Sequence, residues 1–217
     1  MLRIIDLSHP VTAGMPVYPG DPEVYFKLLH TIREGGYNVS EFCMGAHAGT
    51  HVDTPHHCMH TDRAVQSISL DSVVGWAEVL DLGELPPCYD ITAADLDQHA
   101  DRVQTGARVL LRTGWSKRFH EANFFTEFPG ITQGAVAWLN AREVRLLGLE
   151  QPSVHITDHL EVHKLLLSEG VVLVETLTNL DKIIQERVFL VALPLNLVGL
   201  EGAPMRVVAI EGLEEHR

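Results

Sequence analysis

A single α/β domain built on a mixed β-sheet is the fold class this sequence predicts, and three observations predict it. Its 217 residues match the usual domain size of roughly 100–200 residues. No low-complexity run, linker or internal repeat divides them, so residues 1–217 read as one domain. Strand-like segments outnumber helical ones, and several are near-continuous apolar runs, the pattern of strands covered on both faces.

Taken in order, residues 3–7 form a first strand, followed by a loop punctuated by Pro10, Gly14, Pro16, Pro19, Gly20 and Pro22. Val24, Phe26 and Leu28 alternate as a half-buried strand, with residues 38–44 as its partner. Further strands are expected at 77–82, 108–111, 144–149, 171–177, 189–197 and 205–210. Thr92, with Asp95 three residues on, reads as the start of a helix. Thr132 opens a second helix over 133–142, and Thr157 opens a third that Gly170 closes.

Composition narrows the function. Acidic residues number 29 against 16 basic, a formal net charge of −13. A field of that sign argues against a nucleic-acid or anionic-membrane partner and is compatible with binding cations. Cys43, Cys58 and Cys88 form no CxxC pair, which points to free thiols in a reducing compartment. Ile4-Ile5 is too short for the apolar core of a secretory leader. The longest apolar stretch, 188–200, contains Pro194 and Asn196 and is too short to span a bilayer. A cytoplasmic location is expected.

Histidine is the unusual residue. Of 13 in the chain, five lie between His47 and His60. A helix would place Asp53 about 200° round from His51, and Gly49 and Pro55 disfavour one. In an extended chain alternate residues share a face. His47, Gly49, His51, Asp53 and His57 then line one side, and Ala48, Thr50, Val52 and Thr54 the other. Two imidazoles and a carboxylate form a catalytic-type ligand set for Zn²⁺ or Mn²⁺ that leaves coordination positions open. His56 and Cys58 fall on the opposite face and read as packing or supporting residues, and His60 also falls off the pattern. Farther along, Glu175 ends the apolar run Val171-Val172-Leu173-Val174, where a charge needs a partner such as a metal. Either His159 or His163, on the apolar side of the third helix, could join it.

The run His47-Ala-Gly-Thr-His51-Val-Asp53-Thr-Pro-His-His57 resembles the HxGTHxDxPxH signature of the cyclase family of metal-dependent hydrolases, which includes bacterial kynurenine formamidase and isatin hydrolase. The likeness continues through Tyr18-Pro-Gly-Asp, Leu111-Arg-Thr-Gly-Trp115, Pro129-Gly-Ile-Thr132 and the His163–Glu175 spacing. It implies a swivelling β/β/α fold and a homodimer or homotetramer. His47, His51 and Asp53 match the family's first ligand set, His163 and Glu175 its second, and His57 its acid–base histidine. Asp53 and Glu175 would bridge two Zn²⁺ or Mn²⁺ ions per subunit. Tyr18 falls where kynurenine formamidases place an aromatic residue, commonly Trp, against the substrate ring. Glu150-Gln151-Pro152-Ser153 departs from a more usual D-T-P-S. The activity implied is hydrolysis of an amide in a small-molecule substrate, N-formylkynurenine first. The alternatives are an isatin-type lactam or another cyclic amide or lactone, and, outside enzymes, a metal-stabilised interaction module.

Overall fold

A computed structural model describes residues 1–214. Its first strands are β1 (Arg3–Asp6), β2 (Tyr25–His30), β3 (Val39–Cys43), β4 (His51–Asp53), β5 (Val74–Asp81) and the two-residue β6 (Asp90–Ile91). The second half adds β7 (Arg108–Arg112), β8 (Gly130–Ile131), β9 (Leu146–Leu149), β10 (Val172–Glu175), β11 (Arg187–Pro194) and β12 (Gly202–Glu211). Helices are short: α1 (Ile32–Gly35), α2 (Leu70–Val73), α3 (Ala93–Asp97), α4 (Gln133–Asn140) and α5 (His159–Ser168).

The main sheet runs β1-β12-β11-β5-β7-β9-β10-β4, and β4 pairs again with β12, so the sheet closes on itself like a barrel. The β5–β7, β7–β9 and β9–β10 pairs are parallel and the others antiparallel, the mixed sheet expected. Closure rests on the length of β12, whose residues pair in turn with β4, β11 and β1.

Side-chain alternation sorts the core into two layers. Val52, Leu110, Val172, Val174, Leu190 and Val207 fill the barrel interior. Val109, Leu111, Leu147 and Leu173 face outward and pack with Leu96 of α3, Leu139 of α4 and Leu166 of α5. Each such fully buried side chain contributes about 1.5–3 kcal/mol. Gly148 points into the barrel, where an added Cβ would lie 2.5 Å from Leu110 Cδ2, so only glycine permits that approach.

The helix starts follow their capping residues. Asp95 accepts the Thr92 backbone N–H at 2.7 Å, and Thr132 Oγ1 accepts that of Ala135 at 3.3 Å. The third helix starts later than expected, with Asp158 rather than Thr157 at its cap. Gly170 follows its end at φ +85°, a left-handed conformation that glycine adopts without penalty.

The larger departure is β2–β3. The pairing is as expected, but every residue of β2 is exposed and only Val24, just before it, is buried. The hairpin stands off the barrel with no layer beneath it, leaving Tyr25, Phe26, Leu28 and Phe42 open to solvent.

Candidate metal centre

The site lies on the outer face of the barrel, where β4 meets β10. Register sets His51 opposite Glu175 and Asp53 opposite Leu173. Val52 between them points into the interior core, which turns His51 and Asp53 outward. α5 delivers His163 from above, buried beside Val162, Leu166 and Leu167. Asp53, Glu175, His51 and His163 are all buried.

Nε2 of His51 lies 3.4 Å from Asp53 Oδ1 and 3.5 Å from Glu175 Oε2. Nε2 of His163 lies 3.3 Å from Asp53 Oδ2 and 3.5 Å from Glu175 Oε1. The opposite nitrogens are committed elsewhere: Nδ1–H of His51 donates to the Gly49 carbonyl at 2.8 Å, and Nδ1–H of His163 to the His159 carbonyl at 2.7 Å. A carbonyl can only accept, so both rings are held with Nε2 facing the carboxylates, the arrangement of histidine ligands.

The buried carboxylates and imidazoles shift one another's proton affinities strongly. Burial works to lower the His51 imidazole, but Asp53 and Glu175 outweigh it and raise its pKa to about 10. His163 is raised well above its ordinary value by the same contest. Burial would raise Asp53, yet the adjacent imidazoles of His163, His47 and His51 hold it well below the usual carboxylate range. Even so, both Asp53 oxygens, Glu175 Oε1 and His47 Nε2 are buried without an aligned hydrogen-bond partner. Buried anionic oxygens left in that state are costly, and a cation is the group that fits them. The donor set, imidazole and carboxylate without thiolate, suits a divalent ion of the Zn²⁺ or Mn²⁺ type.

The flanking histidines arrive differently from the extended ribbon expected of residues 47–57. Only His51–Asp53 is strand. Gly49 turns the chain at φ +67°, and an added Cβ there would press Met15 Cε at 3.0 Å. Thr54 is extended, as a residue before proline should be, but Pro55–His57 is a 3-10 turn with proline at its start. Two turns, not a period of two, bring His47 and His57 to the site. His47 Nδ1 is 2.7 Å from Asp53 Oδ1, and its Nε2 is 3.3 Å from Glu201 Oε1. The His57 ring sits 4.4 Å from that of His47 and 5.4 Å from that of His163. Ligand atoms of His51, Asp53 and Glu175 lie within 4.8 Å of one another, as do those of His47, Asp53 and His57. Asp53 belongs to both groups. His57 is exposed at its surface, while its partly desolvated surroundings lower its pKa against the pull of Asp53.

Among the other residues singled out from sequence, His159 is exposed at the mouth and lends only its carbonyl. His56 and His60 are exposed, and Cys58 packs half-buried against the outer core. Tyr18 lines the cleft edge-on to Phe125, ring centroids 5.9 Å apart. Phe119 and Phe125 complete an aromatic wall that sequence reasoning missed; the adjacent Phe124-Phe125 was its visible signal. Glu150 is buried and takes four hydrogen bonds: from the Thr113 and Gly114 backbone N–H groups, the Thr113 hydroxyl, and Ser116 Oγ at 2.6 Å. It clamps residues 113–116 and does not line the cleft. Thr176, next to Glu175, holds φ +57°, a strained conformation for a β-branched residue, with its carbonyl fixed by Thr50 Oγ1 at 2.6 Å.

Comparison with known proteins converges on one group. The Cyclase family model matches residues 5–156. The chain is 31% identical over 208 residues to a kynurenine formamidase of Bacillus mycoides (strain KBAB4), covering 94% of this chain and 95% of that one. A solved structure of a potential metal-dependent hydrolase with cyclase activity superimposes with a TM-score of 0.83 at 30% identity, covering 99% of this chain and 100% of that one. Isatin hydrolase A from Labrenzia aggregata superimposes with a TM-score of 0.86 at 25% identity, covering 96% and 93%.

Proposed function

The chain belongs to the cyclase family of metal-dependent hydrolases, and we propose that it hydrolyses N-formylkynurenine to kynurenine and formate. The observation that carries the reading is the buried cluster of Asp53 and Glu175, with orphaned carboxylate oxygens faced by the ring nitrogens of His51 and His163. His47, His51, Asp53, His163 and Glu175 would hold divalent metal, two ions of the Zn²⁺ or Mn²⁺ type. Bound there, the ions supply an acidified water near neutral pH and polarise the scissile carbonyl.

The protein's own groups do the rest. His57 takes the proton of the attacking water on a ring nitrogen and returns it to the leaving nitrogen of the amide. Tyr18, Phe119 and Phe125 offer faces and edges for the aromatic ring of the substrate. The outer helical layer over Asp53 and Glu175 keeps bulk water from the carboxylates, which strengthens every charge interaction there.

The test is direct. Protein stripped with a chelator is expected to release no formate from N-formylkynurenine, and Zn²⁺, Mn²⁺ or Co²⁺ to restore it. Metal-replete protein that opens isatin but leaves the formamide intact would move the assignment to an isatin-type lactam. That second reading is favoured by the likeness to isatin hydrolase A.

Assembly as a homodimer or homotetramer is supported by the exposed β2–β3 hairpin. Its Phe26 and Phe42 edge an apolar groove with Leu193, Leu195 and Met205, and apolar surface of that kind commonly marks an interface. A monomer mass by sedimentation at micromolar concentration would overturn it. Free Cys43, Cys58 and Cys88 support a cytoplasmic location. Among the described residues no helix is long and apolar enough to cross a membrane.

A further inference from the structure

Each imidazole of the centre needs an anchor for the ring nitrogen that does not face the carboxylates. His51 and His163 find theirs in the backbone, at Gly49 and His159. His47 is reversed: its Nδ1 faces Asp53 at 2.7 Å, and its outward Nε2 is buried with no aligned partner. The group standing at that nitrogen is Glu201 Oε1, 3.3 Å away.

We propose that Glu201 is a positioning residue of the metal centre: its carboxylate holds the outer nitrogen of His47 and so keeps the inner one turned on Asp53. The inference rests on the metal-dependent reading above.

The placement of Glu201 is built into the fold. Its carbonyl accepts the Thr54 backbone N–H at 3.0 Å and the Thr54 hydroxyl at 2.7 Å. The next residue, Gly202, pairs with Asp53. A Cβ on Gly202 would lie 2.7 Å from His47 Cε1, so the glycine leaves the space in which the ring lies. Glu201 and Gly202 thus form a cradle for His47, tied to the strand that carries Asp53. A 3.3 Å separation is closed to a full hydrogen bond by a small rotation of a side chain that is partly open to solvent. An imidazole held between a metal and a carboxylate is a stronger and better-aimed ligand than a free one.

Wild type, Glu201→Leu and Glu201→Gln are compared by chelator competition for Zn²⁺ and by the thermal midpoint of the metal-free protein. Glu201→Leu is expected to bind Zn²⁺ about 10–100-fold more weakly with its metal-free midpoint unmoved. Glu201→Gln, whose amide oxygen still accepts, is expected to recover most of the affinity. Wild-type affinity in Glu201→Leu would overturn the proposal, as would equal loss in both variants or a metal-free midpoint that falls with the affinity. A wild-type protein that binds no Zn²⁺, Mn²⁺ or Co²⁺ would instead overturn the metal-dependent reading itself.

Discussion

Asp53→Asn is expected to leave the purified protein without divalent ion under conditions in which wild type retains it. Asp53 is the one residue common to both ligand groups, and three imidazoles converge on its two oxygens. Asparagine keeps the volume and loses the charge, and one of its terminal atoms becomes a donor that repels a cation. Activity should therefore fall further than the about 10–100-fold that loss of a supporting partner costs. The metal-free proteins should differ in a pH-dependent way. In wild type the folded-state pKa of His51 lies at about 10 against an ordinary 6.5, and that of His163 is also raised. Groups raised in this way contribute stability that is complete below pH 6.5 and lost as pH climbs toward about 10. Removing one member of a buried ion pair costs about 3–5 kcal/mol. Metal-free Asp53→Asn should thus trail wild type most near pH 6.5 and approach it toward pH 10. Metal analysis and urea unfolding across that range check both halves. A variant that keeps its ions, or a deficit independent of pH, would refute the central role of Asp53.

The part of this site legible in the sequence is the part made by local geometry. His51 and Asp53 share a face because a strand alternates, and that inference needs only residues 51–53. Extending the same period to His47 and His57 named two residues that the structure does bring beside Asp53, but by a different route, since Gly49 and Pro55 bend the chain where an even ribbon was expected. Apolar periodicity could not choose between His159 and His163. The choice is made by the packing of α5 on the outer core, which buries one and leaves the other at the mouth. Glu201 and the aromatic wall depend on contacts between distant segments, such as the β4–β12 pairing that closes the barrel. No short-range pattern encodes a pairing of that kind. The exposure of β2 was illegible for a related reason: alternation identifies a strand but not whether another layer covers it. Glu150 shows the converse, a motif departure absorbed locally because the buried carboxylate finds donors in Thr113, Gly114 and Ser116.

His57→Ala is expected to keep its metal and its fold while kcat falls by about 10²–10⁴, the usual contribution of a general acid–base group. The residue sits at the end of the 3-10 turn after Pro55 and is exposed, unlike the buried His51 and His163. Truncating it leaves no core cavity, so stability should change by no more than about ±0.5 kcal/mol. Its ring lies among those of His47 and His163, within reach of whatever binds over Asp53. Burial holds its pKa below the ordinary value, which favours the neutral imidazole that can accept a proton near pH 7. The wild-type rate should then fall on the acid side as that imidazole is protonated, and the acid limb should disappear in the variant. His51→Ala is the control, because a buried ring between Asp53 and Glu175 should take the ions with it when removed. The same ligand-atom spacing that groups His57 with His47 and Asp53 makes metal content the deciding measurement. A His57→Ala protein as depleted of metal as His51→Ala would make His57 a ligand, and one with full kcat would assign the proton transfer to another group.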